Sequence, residues 1–353
     1  MYYRPEPQID APQAGRCGVM LINLGSPEAP SASAVRRYLA EFLSDRRIIE
    51  MSPLLWQPIL RGVVLPLRGA ASAARYRSVW HEEGSPLLLH SRRQARLLDG
   101  ALRQRGLSVV TCAAMRYGKP GVAEALDALK KGGCTRILAV PMYPQYSATT
   151  IGSAADAVHA WALRSRAVPE LRISGSFALY EPWLRAAAAH VRRFWQREGR
   201  PAHVVFSFHG VPQQMVQQGD PYERECRASA ARLAQELALE EGQWALAFQS
   251  RFGRGKWLTP ATQEVLQQLG SAGTPRVDVF CPGFVADCLE TLEEIGIEGK
   301  KLFQEAGGGE LRALPCLNDA PEWIEALADW VERNLRGWAE REVSVDMPLD
   351  MEL

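Results

Sequence analysis

Short apolar segments alternate with longer segments of helical period, and this alternation restricts the fold more than any other feature of the sequence. Residues 18–24, GVMLINL, form a continuous apolar run that ends at Gly-Ser-Pro, as expected for a strand buried on both faces. Seven more predicted strands follow, with helical segments between most of them: 107–115, 136–140, 171–176, 202–208, 244–248, 276–280 and 311–313. Such an order is typical of βαβ units, so we predict an α/β protein with parallel sheets.

Each half of the chain has about four predicted strands, so the chain is expected to form two similar domains, each a four-stranded parallel sheet flanked by helices. Its 353 residues, 47% of them hydrophobic, are enough for two cores. We predict an N-terminal domain over 16–165 and a C-terminal domain over 166–319. A final amphipathic helix over 320–338 is expected to pack on the N-terminal domain, and 1–15 and 339–353 are expected to be flexible tails.

Composition excludes several classes of function. The net charge of +1 gives no basic field for nucleic acid. Seven dispersed cysteines contain no CxxC pair, which favours reduced thiols in the cytoplasm over a structural metal site. The N-terminus has no apolar core of a secretory signal.

The most apolar window is 51–67, MSPLLWQPILRGVVLPL, which prolines and a glycine interrupt. It is too short and too broken to span a bilayer. One interpretation is a buried pair of helices, which we favour from the sequence. The other is an apolar lip on a pocket, or a patch that touches a membrane surface.

Chemistry-bearing residues follow the ends of the predicted strands, where ligands of open parallel sheets bind. The strand in 204–212, VVFSFHGVP, ends on His209, an imidazole before a tight turn. Glu290, Glu294 and Glu298 recur every four residues after another strand end, and a π-type turn would align them better than an α-helix does. A solvated helix face is the alternative interpretation.

His209 and Glu290 together would offer one imidazole and one carboxylate. That pair suits a loosely held divalent metal, or general acid–base chemistry near neutral pH. Asp287 and Cys288 precede Glu290. Cys288 is either a softer third ligand or, as we favour, a small buried hydrophobe.

Aromatic and cationic residues at other strand ends are candidates for holding a flat, partly anionic ligand, although ordinary loop anchoring is the alternative. They are Arg116, Tyr117, Tyr143 and Trp257, and Leu24 and Ser147 at two strand ends are further candidates. The sequence has no GxxxxGK[ST] and no GxGxxG after a strand, so nucleotide binding has no support.

Seven of these segments, in order, resemble the ferrochelatases, in particular the bacterial protoporphyrin type. They are LINLGSPEAP (21–30), MRYGKP (115–120), PMYPQYSATTIGS (141–153), FSFHGVP (206–212), GDPY (219–222), FQSRFGRGKWLTPAT (248–262) and PGFVADCLETLEEI (282–295). The resemblance covers about 16–338. It implies two Rossmann-like domains around a porphyrin cleft, a monomer or homodimer, and insertion of Fe²⁺ into protoporphyrin IX.

The resemblance also implies roles for residues. His209 and Glu290 fall on the family's metal-binding and proton-abstracting positions. Glu294, Glu298 and Asp287 fall on a metal or proton path. Arg116, Tyr117 and Tyr143 fall on pocket positions, and 51–67 on the apolar lip.

Two departures from the family pattern affect what it implies. Some relatives have His where this chain has Cys288, so that ligand is absent. Some bind an iron–sulfur cluster through C-terminal cysteines, whereas this chain has none after Cys316, so we predict no cluster and no tightly bound cofactor.

Two alternatives to a ferrochelatase stay open at this point. The first is another tetrapyrrole chelatase, which would use cobalt or nickel, or coproporphyrin. The second is a tetrapyrrole carrier without catalysis, which would have no use for His209 with an acidic row.

Overall fold

A computed structural model describes residues 2–6, 15–252 and 255–339. Within these ranges eight strands form two four-stranded parallel sheets. The strands are β1 Cys17–Gly25, β2 Val109–Tyr117, β3 Arg136–Pro141, β4 Glu170–Ile173, β5 His203–His209, β6 Trp244–Gln249, β7 Arg276–Phe280 and β8 Glu310–Ala313. The α/β class and the two four-stranded parallel sheets are therefore confirmed.

The two sheets have the same strand order. The first is β2-β1-β3-β4 and the second is β6-β5-β7-β8. The strand predicted to open the second domain therefore belongs to the first sheet: β4 pairs with β3, Arg136 opposite Glu170. Its apolar pattern fits either sheet, so sequence could not assign it. The change of sheet comes after Ile173, not at 166 as predicted.

Helices cover both faces of the sheets, and three helical segments are π-helices. The α-helices are α1 Ala32–Phe42, α2 Pro53–Ile59, α3 Leu65–Ser78, α4 Pro86–Gln104, α5 Val122–Lys131, α6 Ser153–Ala162, α7 Glu181–Glu198, α8 Gln213–Gln217, α9 Tyr222–Glu236, α10 Thr262–Ser271, α11 Lys300–Glu305 and α12 Pro321–Asn334. The π-helices are π1 Leu60–Val64, π2 Ala148–Gly152 and π3 Glu290–Gly299.

The central strands explain the continuous apolar runs in the sequence. In β1, residues 17–23 are buried, and in β5 residues 204–208 are buried, because helices cover each sheet on both sides. Strands of this kind cannot alternate apolar and polar residues. Their polar groups therefore gather at the strand ends, which is where the cavity described below opens.

One apolar cluster links the two halves, and each sheet also packs against a cluster of its own. The linking cluster includes Leu98 of α4, Trp183 of α7, Phe206 of β5 and Trp323 of α12. The predicted final helix, α12, packs against both α4 and α7, so it spans the two halves instead of lying on the first alone. This linking cluster fixes the angle at which the two sheet edges face each other.

The first residues are also held in place, although the segment 1–15 is predicted to be a flexible tail. Arg4 pairs with Asp127 at 2.7 Å, and the Glu6 carboxylate accepts from Lys130. These ion pairs attach residues 2–6 to α5, and neither is visible as a local pattern in the sequence. Residues 7–14 and 340–353 lie outside the described part of the chain.

Candidate active site

An apolar cavity lies between the carboxyl ends of the two sheets, where open α/β sheets bind ligands. The space between its lining side chains is about 1050 Å³ with the open mouth included. The wall is mostly apolar and aromatic, and it carries one imidazole and one carboxylate, those of His209 and Glu290. Five predicted site residues therefore meet here: His209, Glu290, Leu24, Tyr143 and Trp257.

His209 is the last residue of β5 and is partly buried at the cavity wall. Its Nδ1 lies 2.7 Å from the carbonyl oxygen of Gly210. A carbonyl only accepts, so Nδ1 carries the proton in this contact. In the neutral imidazole the free lone pair is then on Nε2, which leaves that nitrogen to accept a proton or to bind a metal.

Gln249, at the end of β6, fixes the positions of His209 and Glu290 relative to each other. Its main-chain carbonyl accepts from the Gly210 amide at 2.7 Å, and its Nε2 donates to the Glu290 carbonyl at 3.0 Å. Its Oε1 accepts from the Ser207 hydroxyl at 2.6 Å. Because Gln249 is 3% exposed, these bonds compete little with water and hold the strand end and π3 rigidly.

Cys288 lies on the cavity wall beside Glu290 and is 5% exposed. Burial, reinforced by the Glu290 charge, raises the pKa of this thiol well above its usual value. The thiol therefore stays protonated at neutral pH. Its burial is that of a small hydrophobe, the interpretation of Cys288 favoured from the sequence.

Glu294 lies one π-turn beyond Glu290 and is held by Ser250. The Ser250 amide donates to it at 2.7 Å and the Ser250 hydroxyl at 2.5 Å. Ser250 has φ of +63°, a strained value for serine that aims both donors at one carboxylate. Burial raises the pKa of Glu294, while these two bonds and the His209 charge oppose the rise. Glu294 is thus close enough to sense the charge of His209.

Glu293 was not predicted from the sequence; the residue is 6% exposed, and its Oε2 has no hydrogen-bond partner among the described residues. Burial raises its pKa to about 7, and the Arg75 guanidinium, 3.6 Å away on α3, limits the rise. The same guanidinium lies 3.8 Å from Glu298. A four-residue period selects Glu294 and Glu298 but not Glu293, so only the wider π-helical turn reveals this contact.

Glu294 and Glu298 also line a separate, outer pocket, together with residues of α10 and α11. Glu290 faces the inner cavity. The π-helix thus carries a row of carboxylates, which begins at the exposed Glu298, continues with Glu294 and ends with Glu290 at the cavity wall. Among residues 2–6, 15–252 and 255–339, no three His, Cys, Asp or Glu side chains form a closed metal centre.

Asp287 lies apart from this row. Its carboxylate accepts from the Thr291 hydroxyl at 2.9 Å, the Cys316 amide at 3.2 Å and the Asn318 amide group at 2.6 Å. The side chain is 5% exposed and does not line the cavity. With its acceptor sites occupied, Asp287 joins the start of π3 to the loop after β8.

Arg116, Tyr117 and Ser147, which the resemblance and the strand-end pattern assign to the pocket, do not line the cavity wall. Arg116 pairs with Asp45 at 2.5 Å, and the Tyr117 hydroxyl donates to the same carboxylate at 2.8 Å. The buried Ser147 caps π2 through the Thr149 amide. These residues anchor the segments around the cavity, as the alternative interpretation of ordinary loop anchoring predicted.

The segment predicted as a buried helix pair forms α2, π1 and the start of α3, and it exposes its apolar side chains. Leu54 is 87% exposed and Leu67 73% exposed, with Leu55 and Val63 also exposed. The buried interpretation is therefore wrong, because these side chains have no partner in the described part of the fold. At the same end, the Arg68 guanidinium lies 5.4 Å from the ring centre of Phe252, a residue of the cavity wall.

None of the helices in the described ranges is long and apolar enough to cross a membrane.

Solved structures of chelatases have the same architecture. SirB from Bacillus subtilis, solved with Fe³⁺, matches with a TM-score of 0.54 at 14% identity and covers 93% of this chain and 100% of its own. The sirohydrochlorin chelatase SirB from Bacillus subtilis subspecies spizizenii, in complex with cobalt, matches with a TM-score of 0.53 at 13% identity and covers 91% and 96%. The fold is thus that of the chelatases.

Sequence comparison assigns the chain to one family within this class of proteins. Residues 16–335 match the ferrochelatase family model. The ferrochelatase of Methylibium petroleiphilum is 51% identical over 338 residues, 96% of this chain and 93% of that protein. The ferrochelatase of Bordetella pertussis is 50% identical over 324 residues, 92% and 90%. The chain belongs to the ferrochelatase family.

Proposed function

We propose that this enzyme, a lyase of haem biosynthesis, inserts Fe²⁺ into protoporphyrin IX and releases two pyrrole protons. The observation that carries the proposal is the pairing of His209 and Glu290 on the wall of one apolar cavity. A metal-free carrier would need the cavity but neither of these groups. Membership of the ferrochelatase family supports the same reaction.

The cavity suits a flat, largely apolar macrocycle. Leu24 and Tyr143 lie on its first-half side and Trp257 on its second-half side. No lysine or arginine is among the described residues of the wall, and Arg68 lies against the wall residue Phe252 from outside. This distribution favours protoporphyrin, with two carboxylates, over coproporphyrin, with four. A rigid wall can also tilt pyrrole rings out of plane and so expose their nitrogens to the metal.

We assign the proton-accepting role to His209. Its Nδ1–H bond to Gly210 directs the Nε2 lone pair away from the main chain, and the same bond stabilises the imidazolium formed when a pyrrole N–H gives up its proton. Each turnover exchanges one Fe²⁺ for two protons. His209 must therefore pass on its first proton before, or while, the second pyrrole nitrogen is deprotonated.

Glu290 and the carboxylates beyond it are assigned to the iron. The exposed Glu298 and the half-buried Glu294 offer oxygen ligands in sequence toward the cavity, where Glu290 is the last of them. A row of separate carboxylates holds Fe²⁺ weakly at each position, which suits an ion that has to move on. The row equally provides a route by which protons leave His209. Fe²⁺ is thus a substrate here, and we propose no resident cofactor and no iron–sulfur cluster.

An anaerobic assay of purified protein tests the function. With Fe²⁺ and protoporphyrin IX we expect the Soret band of free porphyrin to shift to that of haem, many turnovers per enzyme. Parallel reactions offer Co²⁺ or Ni²⁺ in place of Fe²⁺, and coproporphyrin in place of protoporphyrin. Faster insertion with either replacement would assign the alternative chelatase, and porphyrin binding without any insertion would assign the carrier.

We also propose that the enzyme works in the cytoplasm against a membrane surface. The support is the exposed apolar row of Leu54, Leu55, Val63 and Leu67, beside Arg61 and Arg68. Co-sedimentation with vesicles of neutral and anionic lipids should fall severalfold in the variant Leu54→Ser/Leu67→Ser, while turnover with detergent-dispersed porphyrin persists. Equal sedimentation of both proteins would contradict the proposal.

The predicted homodimer stays a prediction, and light scattering on the same samples tests it.

A further inference from the structure

A groove lined by arginines runs along the outer edge of the first sheet and shares no lining residue with the cavity described above. We call it the basic groove. It lies between α4 and the edge strand β2, and its charged lining is Arg16, Arg92, Arg96, Asp99 and Arg103. Residues 106–113 form its other wall.

The basic groove has an excess of positive charge that its own carboxylate does not neutralise. Asp99 pairs with Arg103 at 2.9 Å. Arg92 and Arg96 are exposed, and neither has an ion-pair partner in the described part of the chain. Two unpaired guanidinium groups, one helical turn apart on α4, favour an anionic partner.

The strand beside these arginines has free backbone groups. β2 lies at the edge of its sheet, with β1 on one side. On its outer side the Met115 amide donates to the Pro120 carbonyl at 2.7 Å. Because strand amides alternate in direction, the amides of Val109, Thr111 and Ala113 point outward as well. These three open positions lie within the basic groove, which thus offers a template for one more strand.

The described chain ends beside this groove. Ala339 and Leu107 line one surface pocket, and Leu107 also lines the basic groove. The Trp338 carbonyl is held by Arg136 at 2.9 Å, near the start of the first sheet. A segment that continues from Ala339 therefore begins beside Leu107, which lies two residues before the start of β2. It begins at the end of the sheet where β2 also begins.

The segment that follows has the charge and the pattern that the groove would accept. Residues 340–353 contain five acidic residues and one arginine, a net charge of −4. Within it, residues 342–346, EVSVD, alternate polar or acidic side chains with valine, as a strand does. At about 3.3 Å per residue, five residues match the open stretch from Val109 to Ala113.

We propose that residues 340–353 bind in the basic groove and add a fifth, parallel strand to the first sheet beside β2. In this arrangement the acidic side chains face Arg92 and Arg96. The segment covers an edge that otherwise invites pairing with other chains.

Hydrogen–deuterium exchange tests this proposal on the full chain and on a variant that stops after Ala339. We expect amides in the 108–114 peptide to exchange at least tenfold faster in the shortened protein. The full-length variant Arg92→Glu/Arg96→Glu should behave like the shortened protein. Its control, Lys131→Glu/Arg224→Glu, changes two exposed residues outside the groove and should retain the protection.

A synthetic peptide of residues 340–353 provides the second measurement. It should restore protection to the shortened protein, less well at high salt, whereas a scrambled peptide of the same composition should not. Equal exchange in the full and shortened chains would overturn the proposal. Protection that grows with protein concentration would also overturn it, because the edge would then be covered by a second copy of the chain.

Discussion

The two halves of the molecule share one framework but contribute different chemistry. In the first sheet Gly18 pairs with Ile137, the second residue of β3, and in the second sheet His203 pairs with Val277, the second residue of β7. Six residues beyond Gly18 and His203, the equivalent positions are Leu24 and His209. Both side chains line the cavity.

The same alignment relates the π-helices. Thirteen residues beyond Ile137 lies Thr150 in π2, and thirteen beyond Val277 lies Glu290 in π3, again both on the cavity wall. Glu294 and Glu298 correspond to Ala154 and Val158, which are fully buried in α6. The fold therefore presents equivalent positions twice, and only the second half fills them with ionisable groups. The first half provides a wall, and the second half provides the reactive groups.

The largest expected effect is that of His209→Ala. Loss of the proton acceptor should reduce iron insertion by about 1,000-fold or more, within the range for a positioned acid–base group. Porphyrin should still bind, as fluorescence quenching of the protein would measure. Leu24→Ala at the equivalent position should weaken porphyrin binding and leave the rate at saturation within a few-fold. Similar losses of that rate in both variants would remove the distinction between the two halves.

Glu290→Gln should lower the rate of insertion by about 100-fold, because the amide neither binds Fe²⁺ well nor carries a proton. The anaerobic Soret assay at saturating porphyrin measures it. Its matched control is Thr150→Val, the equivalent position in π2, which should retain most of the activity. If Glu290→Gln changed only the affinity for porphyrin, Glu290 would be a residue of the wall, like Thr150.

Glu294→Gln should have a smaller effect, about tenfold on the KM for Fe²⁺ with little change in the KM for porphyrin. Glu294 lies between the outer pocket and the cavity, so its charge matters to the ion and not to the macrocycle. Steady-state kinetics with each substrate varied in turn separates the two constants. A change confined to the porphyrin constant would contradict the assigned path.

Sequence alone predicted the fold well, because buried parallel strands leave continuous apolar runs that stand out from the helices between them. All eight strands were located, although β4 was assigned to the wrong sheet because its four residues carry no information on their partner. The exposure of Leu54 and Leu67 was also missed. A helix with apolar residues on every side is normally buried, so local pattern gave the wrong answer there.

The site residues that could be predicted from sequence are the reactive side chains that directly follow the end of a strand. His209 and Glu290 both line the cavity, which their positions after β5 and β7 had indicated. What sequence could not provide are contacts between distant segments. Arg116 is neutralised by Asp45, and Ser147 is used by a π-helix cap, so neither reaches the wall. The role of Gln249 as a brace between β5 and π3 depends on three such contacts.

The smallest effect on turnover, and the clearest on stability, is expected for Glu293→Gln. In the fold the pKa of Glu293 is raised to about 7 by burial, so the folded state holds a proton that the unfolded chain releases near its ordinary value. The protonated Glu293 side chain stabilises the fold fully below pH 4.5, and this stabilisation is lost as the pH rises through 7. Wild type should therefore lose about 1 to 3 kcal/mol between pH 5 and 8 that the glutamine variant retains.

Urea unfolding at several pH values measures this difference. Glu298→Gln is the control, because its exposed carboxylate should change the profile little. The position equivalent to Glu293 in the first half is Ser153, a neutral residue that bonds to Asp45 at 2.6 Å. If the pH-dependent loss of stability disappears only in the Glu293 variant, this carboxylate of the second half destabilises the fold at neutral pH. The neutral residue at the equivalent position of the first half does not. Identical profiles for wild type and Glu293→Gln would mean that Arg75 keeps the buried carboxylate ionised, and the charged row would then extend to four members.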